Sequence, residues 1–108
     1  MAISTIAQVS GILSPEIKVT TNYGSLYFCK TAGGIKCIRI GLSNFPGNSN
    51  STFSSIIPEG YRPVGDVAAY GYNNAGKPRG IILRTTGNIS YFSDGQNDLG
   101  ITGICVYY

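Results

Sequence analysis

Carboxylates are the remaining candidates for a general base in this chain, because it contains no histidine. They are Glu16, Glu59, Asp66, Asp94 and Asp98. Asp94 and Asp98 lie in one short segment, and glycosidases place two carboxylates at a defined separation. A polar turn between two strands explains the same segment more simply. We therefore expect no enzymatic activity, with glycan cleavage by Asp94 and Asp98 as the catalytic alternative.

The cysteines do not indicate a metal centre or a nucleophile. Cys29, Cys37 and Cys105 have neither a C-x-x-C pair nor a metal-ligand spacing. A nucleophilic cysteine would also need a base partner, which is missing here. We expect three reduced, buried thiols in a reducing cytoplasm, although Cys29 and Cys37 flank a predicted turn and could face each other. The segment 94–98 lacks the spacing and closing Glu of an EF-hand, so we expect no metal and no cofactor.

Two segments, 70–74 and 91–98, combine aromatic rings with planar polar groups. Proteins hold sugars by stacking rings on C–H groups and by hydrogen bonds from Asn, Asp and Arg to hydroxyls. The predicted ligand-binding residues are Tyr72, Asn73, Asn74, Asp94, Asn97 and Asp98. For four other aromatic residues we favour packing in a core or an interface: Tyr70, Phe92, Tyr107 and Tyr108.

The elements that carry these segments are strands. Runs rich in Tyr, Ile, Val and Thr alternate with breaks of Gly, Asn, Pro and Ser, at a spacing near ten residues. This pattern predicts one all-β domain over residues 1–108, an antiparallel β-sandwich or barrel. The predicted strands are Glu16–Thr21, Tyr23–Lys30, Ile35–Leu42, Thr52–Ile57, Asp66–Tyr72, Arg79–Thr85, Asn88–Ser93 and Ile101–Tyr108.

Composition narrows the partners. Charged residues make up 12% of the chain, about half the usual share, and the net charge of +3 comes from scattered cations. We expect no nucleic-acid partner, and no membrane insertion, because no apolar run reaches spanning length. The last strand is apolar on both faces, which predicts a subunit interface. The uncharged segment Met1–Leu13 lacks the basic start of a signal peptide, and we expect an edge strand or packing onto neighbouring chains.

The run Ile57-Pro58-Glu59-Gly60-Tyr61-Arg62-Pro63 resembles the L/I-P-x-G-Y-R-P segment of C-terminal head domains in bacteriophage tail fibres and receptor-binding proteins. In those heads a G-x-I hairpin and a final strand follow, as do residues 79–89 and 101–108 here. The prolines fix φ and Gly60 permits a tight turn, so we interpret the motif as a rigid corner outside the binding site.

The resemblance implies a jelly-roll-like β-sandwich that assembles as a homotrimer and binds bacterial cell-surface polysaccharide without catalysis. It also implies other phage tail proteins as partners and a place at the tail tip of the virion, after synthesis in the host cytoplasm. Such a chain is either an excised domain or a small standalone virion component. A structural virion or cell-surface assembly domain without a glycan ligand is the alternative.

Overall fold

A computed structural model describes residues 15–31, 33–45, 50–92, 95 and 100–108. These residues contain eight strands and no helix, which confirms the all-β prediction. Each strand overlaps one predicted run. The strands are β1 (Ile17–Thr21), β2 (Gly24–Lys30), β3 (Lys36–Leu42), β4 (Ser51–Phe53), β5 (Val67–Tyr72), β6 (Pro78–Leu83), β7 (Ile89–Tyr91) and β8 (Ile101–Tyr107). Residues 1–14, and with them the expectation for Met1–Leu13, lie outside the described part of the chain.

The eight strands form one antiparallel sheet in the order β1-β2-β3-β8-β5-β6-β7-β4. The sheet curls into a half-barrel, an architecture consistent with the predicted sandwich or barrel. Because side chains alternate along each strand, one face of the sheet supplies the core and the other faces outward. The most deeply buried core residues are Leu26, Phe28, Ile38, Phe45, Ile57, Ile81, Leu83, Ile89 and Ile101.

β5 and β8 meet at a seam with little regular pairing. Their register contains one pair, Tyr72 opposite Thr102. Further along, the backbone N–H of Tyr70 donates to Sγ of Cys105 at 3.1 Å, and the thiol donates to the Tyr70 carbonyl at 3.1 Å. Gly71 permits this close approach, because a Cβ there would collide with the Thr102 carbonyl. A side-chain thiol therefore supplies hydrogen bonds where the strand ladder stops.

The segment 57–63 forms the predicted corner. The N–H of Tyr61 donates to the Pro58 carbonyl at 3.0 Å, and Gly60 has φ of 89°. Nε of Arg62 donates across the corner to the Ile57 carbonyl at 3.2 Å. Ile57 and Tyr61 are buried, so the corner packs its apolar side chains into the core.

A second hydrogen bond attaches this corner to the last strand. The hydroxyl of Tyr107 donates to the Tyr61 carbonyl at 2.7 Å, and both residues are buried. The Tyr61 ring packs near Phe28, and Nζ of Lys30 lies 4.8 Å from its centroid. Burial, with Cys37 nearby, raises the pKa of Tyr107 well above its ordinary value. The motif is thus part of the architecture, as the sequence indicated.

Candidate functional site at the loop end

The strand register brings several connections to one end of the sheet. β3 ends at Leu42 opposite Ile101, where β8 begins, and Tyr72 at the end of β5 pairs with Thr102. We call this end of the sheet the loop end. Four connections meet there: the 22–23 turn between β1 and β2, and the segments 43–50, 73–77 and 92–100, of which residues 46–49, 93–94 and 96–99 lie outside the described part of the chain.

Arg79 holds the bases of two of these segments together. Its Nη1 donates to the Phe45 carbonyl at 2.8 Å and to the Gly100 carbonyl at 3.2 Å, and its guanidinium carbon lies 4.6 Å from the centroid of the Phe45 ring. Arg79 is only 5% exposed. Bonds from a buried guanidinium to carbonyls of separate segments fix their spacing, so Arg79 positions the loop end.

Four aromatic rings form a rigid floor beneath the same end. The ring of Phe45 lies 4.4 Å from Tyr91, 5.5 Å from Tyr23 and 5.8 Å from Phe53, centroid to centroid. Tyr23 and Phe53 also contact each other, at 6.2 Å. Because Tyr23 follows β1 and Phe53 ends β4, this contact joins the two edges of the curled sheet.

The 73–77 turn between β5 and β6 is closed by Asn73. Its Oδ1 accepts from the N–H groups of Ala75 at 2.9 Å and Lys77 at 3.0 Å, and its N–H donates to the Lys77 carbonyl. The residue is 6% exposed. The expectation that Asn73 is exposed for recognition is therefore wrong, because the turn itself uses its carbonyl oxygen.

The other predicted residues of this turn are accessible. Tyr72 is 60% exposed at the end of β5, and Asn74 is exposed at the tip. Phe92, at the start of the neighbouring segment, is 50% exposed. The remaining predicted residues, Asp94, Asn97 and Asp98, lie outside the described residues.

Among the aromatic residues assigned to packing, Tyr107 is buried, which confirms a core role for it. Tyr70, Tyr108 and Phe92 are exposed instead, so they do not lie in the core of a single chain. Ile104 and Val106 of β8 are 67% and 70% exposed. We call the outward-facing set on β5 and β8 the outer apolar patch: Tyr70, Tyr72, Ile104, Val106 and Tyr108.

Two of the three thiols face each other across a hairpin, and the third lies at the seam between β5 and β8. Cys29 and Cys37 are directly opposite each other in the β2–β3 hairpin, as the sequence suggested, and all three cysteines are free. They are half-buried, which corrects the expectation of full burial. Burial and the neighbouring Cys29 raise the pKa of the Cys37 thiol to about 11. A raised pKa disfavours the thiolate that nucleophilic or metal-binding chemistry needs.

Over the described ranges, no group of three or more acidic or thiol side chains is placed to hold a metal ion. No pocket is found among them. None of the described residues belongs to a helix suited to crossing a membrane. What the loop end offers is an exposed ring and amide on a rigid base, which is suited to binding from solution.

Sequence reasoning missed Arg79 and Phe45, the two residues that organise this end. The alternation of β6 could have indicated the burial of Arg79, because Arg79, Ile81 and Leu83 lie on the same face of the strand and that face packs on the core.

Comparison with known proteins gave no match to a family model, a curated protein or a solved structure.

Proposed function

We propose that this chain is a non-enzymatic receptor-binding head of a phage tail, which assembles as a homotrimer and binds a bacterial cell-surface saccharide at the loop end. The observation that carries the proposal is the convergence of four connections on a base held by Arg79 and four aromatic rings. Binding surfaces are commonly built from loops on such rigid β scaffolds.

The exposed groups at this end have the chemistry that sugars require. Tyr72 presents an aromatic face that can stack on sugar C–H groups, and the amide of Asn74 can both donate to and accept from hydroxyls. The 73–77 turn, which follows Tyr72 and contains Asn74, is closed by the hydrogen bonds of Asn73. The turn therefore loses little conformational freedom when a ligand binds. Asp94, Asn97 and Asp98 stay predictions for the adjoining segment.

Binding of immobilised surface polysaccharides from a panel of bacteria, measured by biolayer interferometry, tests the proposal. We expect Tyr72→Ala to weaken binding about threefold to tenfold, because a lost aromatic contact costs about 0.5–1.5 kcal/mol. Tyr72→Phe keeps the ring and should bind nearly as well. Asn74→Ala should weaken binding, whereas Thr86→Ala, in the exposed turn at the opposite end, is the matched control.

The native mass, measured on the same samples, should correspond to about three chains. Equal binding by Tyr72→Ala and wild type would reject the loop end as the site. Release of sugar products from the polysaccharide would instead favour the enzymatic alternative. If an intact trimer bound none of the polysaccharides, saccharide recognition would be rejected.

A second candidate function is an assembly domain without a glycan ligand, in a virion or on a cell surface. The outer apolar patch favours it, because several large apolar side chains exposed on one face of a sheet commonly mark protein–protein contact. A trimer that binds none of the polysaccharides would support this candidate.

A further inference from the structure

The outer apolar patch is large for a single chain of this size. Its tyrosines are 60–67% exposed, and Ile104 and Val106 are 67% and 70% exposed. With about 200 Å² for a fully exposed tyrosine and less for the aliphatic residues, the patch presents roughly 600 Å². The largest patch on a typical monomer is about 300–600 Å², and a standard interface buries about 800 Å² per partner. The area of the patch is therefore close to the area that one partner buries in the core of a protein–protein interface.

The patch contains no charged side chain. The cation nearest to it in the sheet register is Arg39, which is opposite Ile104. Arg39 donates two hydrogen bonds to the Glu16 carboxylate, at 3.0 and 3.2 Å, and its guanidinium lies 3.8 Å from the centroid of the Tyr27 ring. Each chain has a net charge of +3, so copies repel one another except where cations are absent or paired. This face meets that condition.

Gly80 leaves space for one of the rings. The ring of Tyr70 lies over Gly80 of β6, with its Cε1 only 2.9 Å from where a Cβ would stand. A side chain at position 80 would displace the ring from this position.

We infer that the outer apolar patch is the surface through which copies of this chain contact one another. A saccharide does not suit it, because Ile104 and Val106 offer no hydrogen-bonding group beside the rings. In a cyclic trimer, equivalent residues of the copies meet only next to the symmetry axis, and an uncharged apolar surface can lie there without charge repulsion. The number of copies, three, rests on the proposed function, and the inference adds which surface joins them.

Native mass spectrometry and light scattering of the full chain test this interface. Val106→Lys should raise the dissociation constant of the assembly about a hundredfold or more, because it buries an unpaired charge. Ile104→Gln, of similar size and uncharged, should weaken assembly less. Thr20→Lys is the matched control, since Thr20 is exposed on a strand three positions away in the sheet. Circular dichroism verifies that each variant keeps the β fold.

Loss of assembly in Val106→Lys with an unchanged oligomer in Thr20→Lys supports the interface. A wild-type monomer at micromolar concentration would overturn it, as would an oligomer that persists in both Val106→Lys and Ile104→Gln. The binding assay above separates the two proposals. An oligomer that Val106→Lys dissociates, but that binds no polysaccharide, leaves this inference standing and rejects the saccharide.

Discussion

Replacing Tyr107 by Phe tests whether the 57–63 corner is part of the architecture. The Tyr107 hydroxyl donates to the carbonyl of Tyr61 at 2.7 Å, and both residues are buried. Tyr107→Phe removes the hydrogen bond that this carbonyl accepts, at a cost of about 1–3 kcal/mol in the free energy of unfolding. Each kcal/mol corresponds to about 4–8 °C in Tm for a domain near this size. We therefore expect a fall of several degrees at neutral pH.

The pH dependence of the same variant gives an independent measurement. Burial raises the pKa of Tyr107 above its ordinary value of 10.0. As the pH rises past that value, the unfolded chain loses this proton while the folded chain keeps it, so wild-type stability falls by up to about 1.4 kcal/mol per pH unit. Phe has no such proton. The stability difference should therefore narrow above about pH 10.

Urea unfolding of wild type and Tyr107→Phe at about pH 7, 9 and 11 provides the comparison. Thr86→Ala removes a hydroxyl from an exposed turn residue outside the outer apolar patch, and we expect it to change stability by less than about 0.5 kcal/mol. A Tyr107→Phe variant as stable as Thr86→Ala at neutral pH would refute the role of the hydrogen bond. A difference that stays constant through alkaline pH would refute the assignment of the raised pKa.

Three further predictions concern other parts of the chain. Arg79→Met should lower the free energy of unfolding by about 2–4 kcal/mol in urea, because the Phe45 and Gly100 carbonyls lose their hydrogen-bond donor. Hydrogen exchange of the Gly100 amide should also become faster. Unchanged exchange would argue against a positioning role for Arg79. A backbone N–H and an arginine hold the pKa of Asp66 below its ordinary value, so its stabilisation is present above that value and is lost as the pH falls through the lowered pKa. Asp66→Asn should thus be less stable than wild type at neutral pH, with a difference that disappears in acid unfolding; a constant difference would contradict the shift. Cys37, with its pKa raised from 9.0 to about 11, should react with iodoacetamide near pH 8 roughly a hundredfold more slowly than an ordinary thiol, and equal rates by mass spectrometry would contradict this.

The strands were predictable because their signal is local. Runs of β-branched and aromatic residues between Gly and Asn breaks gave all eight, with ends displaced by a few residues. The order of the strands in the sheet could not be predicted in this way. It depends on contacts between residues far apart in the chain, such as those that place β8 between β3 and β5. Hydrophobic alternation assigns faces to a strand and does not choose its neighbours. The Cys105 seam follows from that order, so it was equally out of reach.

The candidate site was predictable only in part, for a related reason. Residue type indicated that Tyr72 and Asn74 suit sugar recognition, and both are exposed. The same reasoning misassigned Asn73, because an Asn suited to a ligand is equally suited to closing its own turn. Arg79 was overlooked because an arginine normally faces solvent, and its burial depends on carbonyls from two distant segments.

Tyr72 connects the two proposals, since it belongs both to the loop end and to the outer apolar patch. Its position at the end of β5 places its ring at the border between them, and its pairing with Thr102 fixes that border on β8. If copies meet through Ile104 and Val106, they bring their Tyr72 rings and 73–77 turns toward the subunit boundary. A saccharide held there would contact more than one chain, and binding through several equivalent weak contacts gains avidity from assembly. Assembly and recognition then use two adjoining surfaces that share Tyr72. Loss of the interface should weaken saccharide binding, although Ile104 and Val106 themselves offer no hydrogen-bonding group to a sugar.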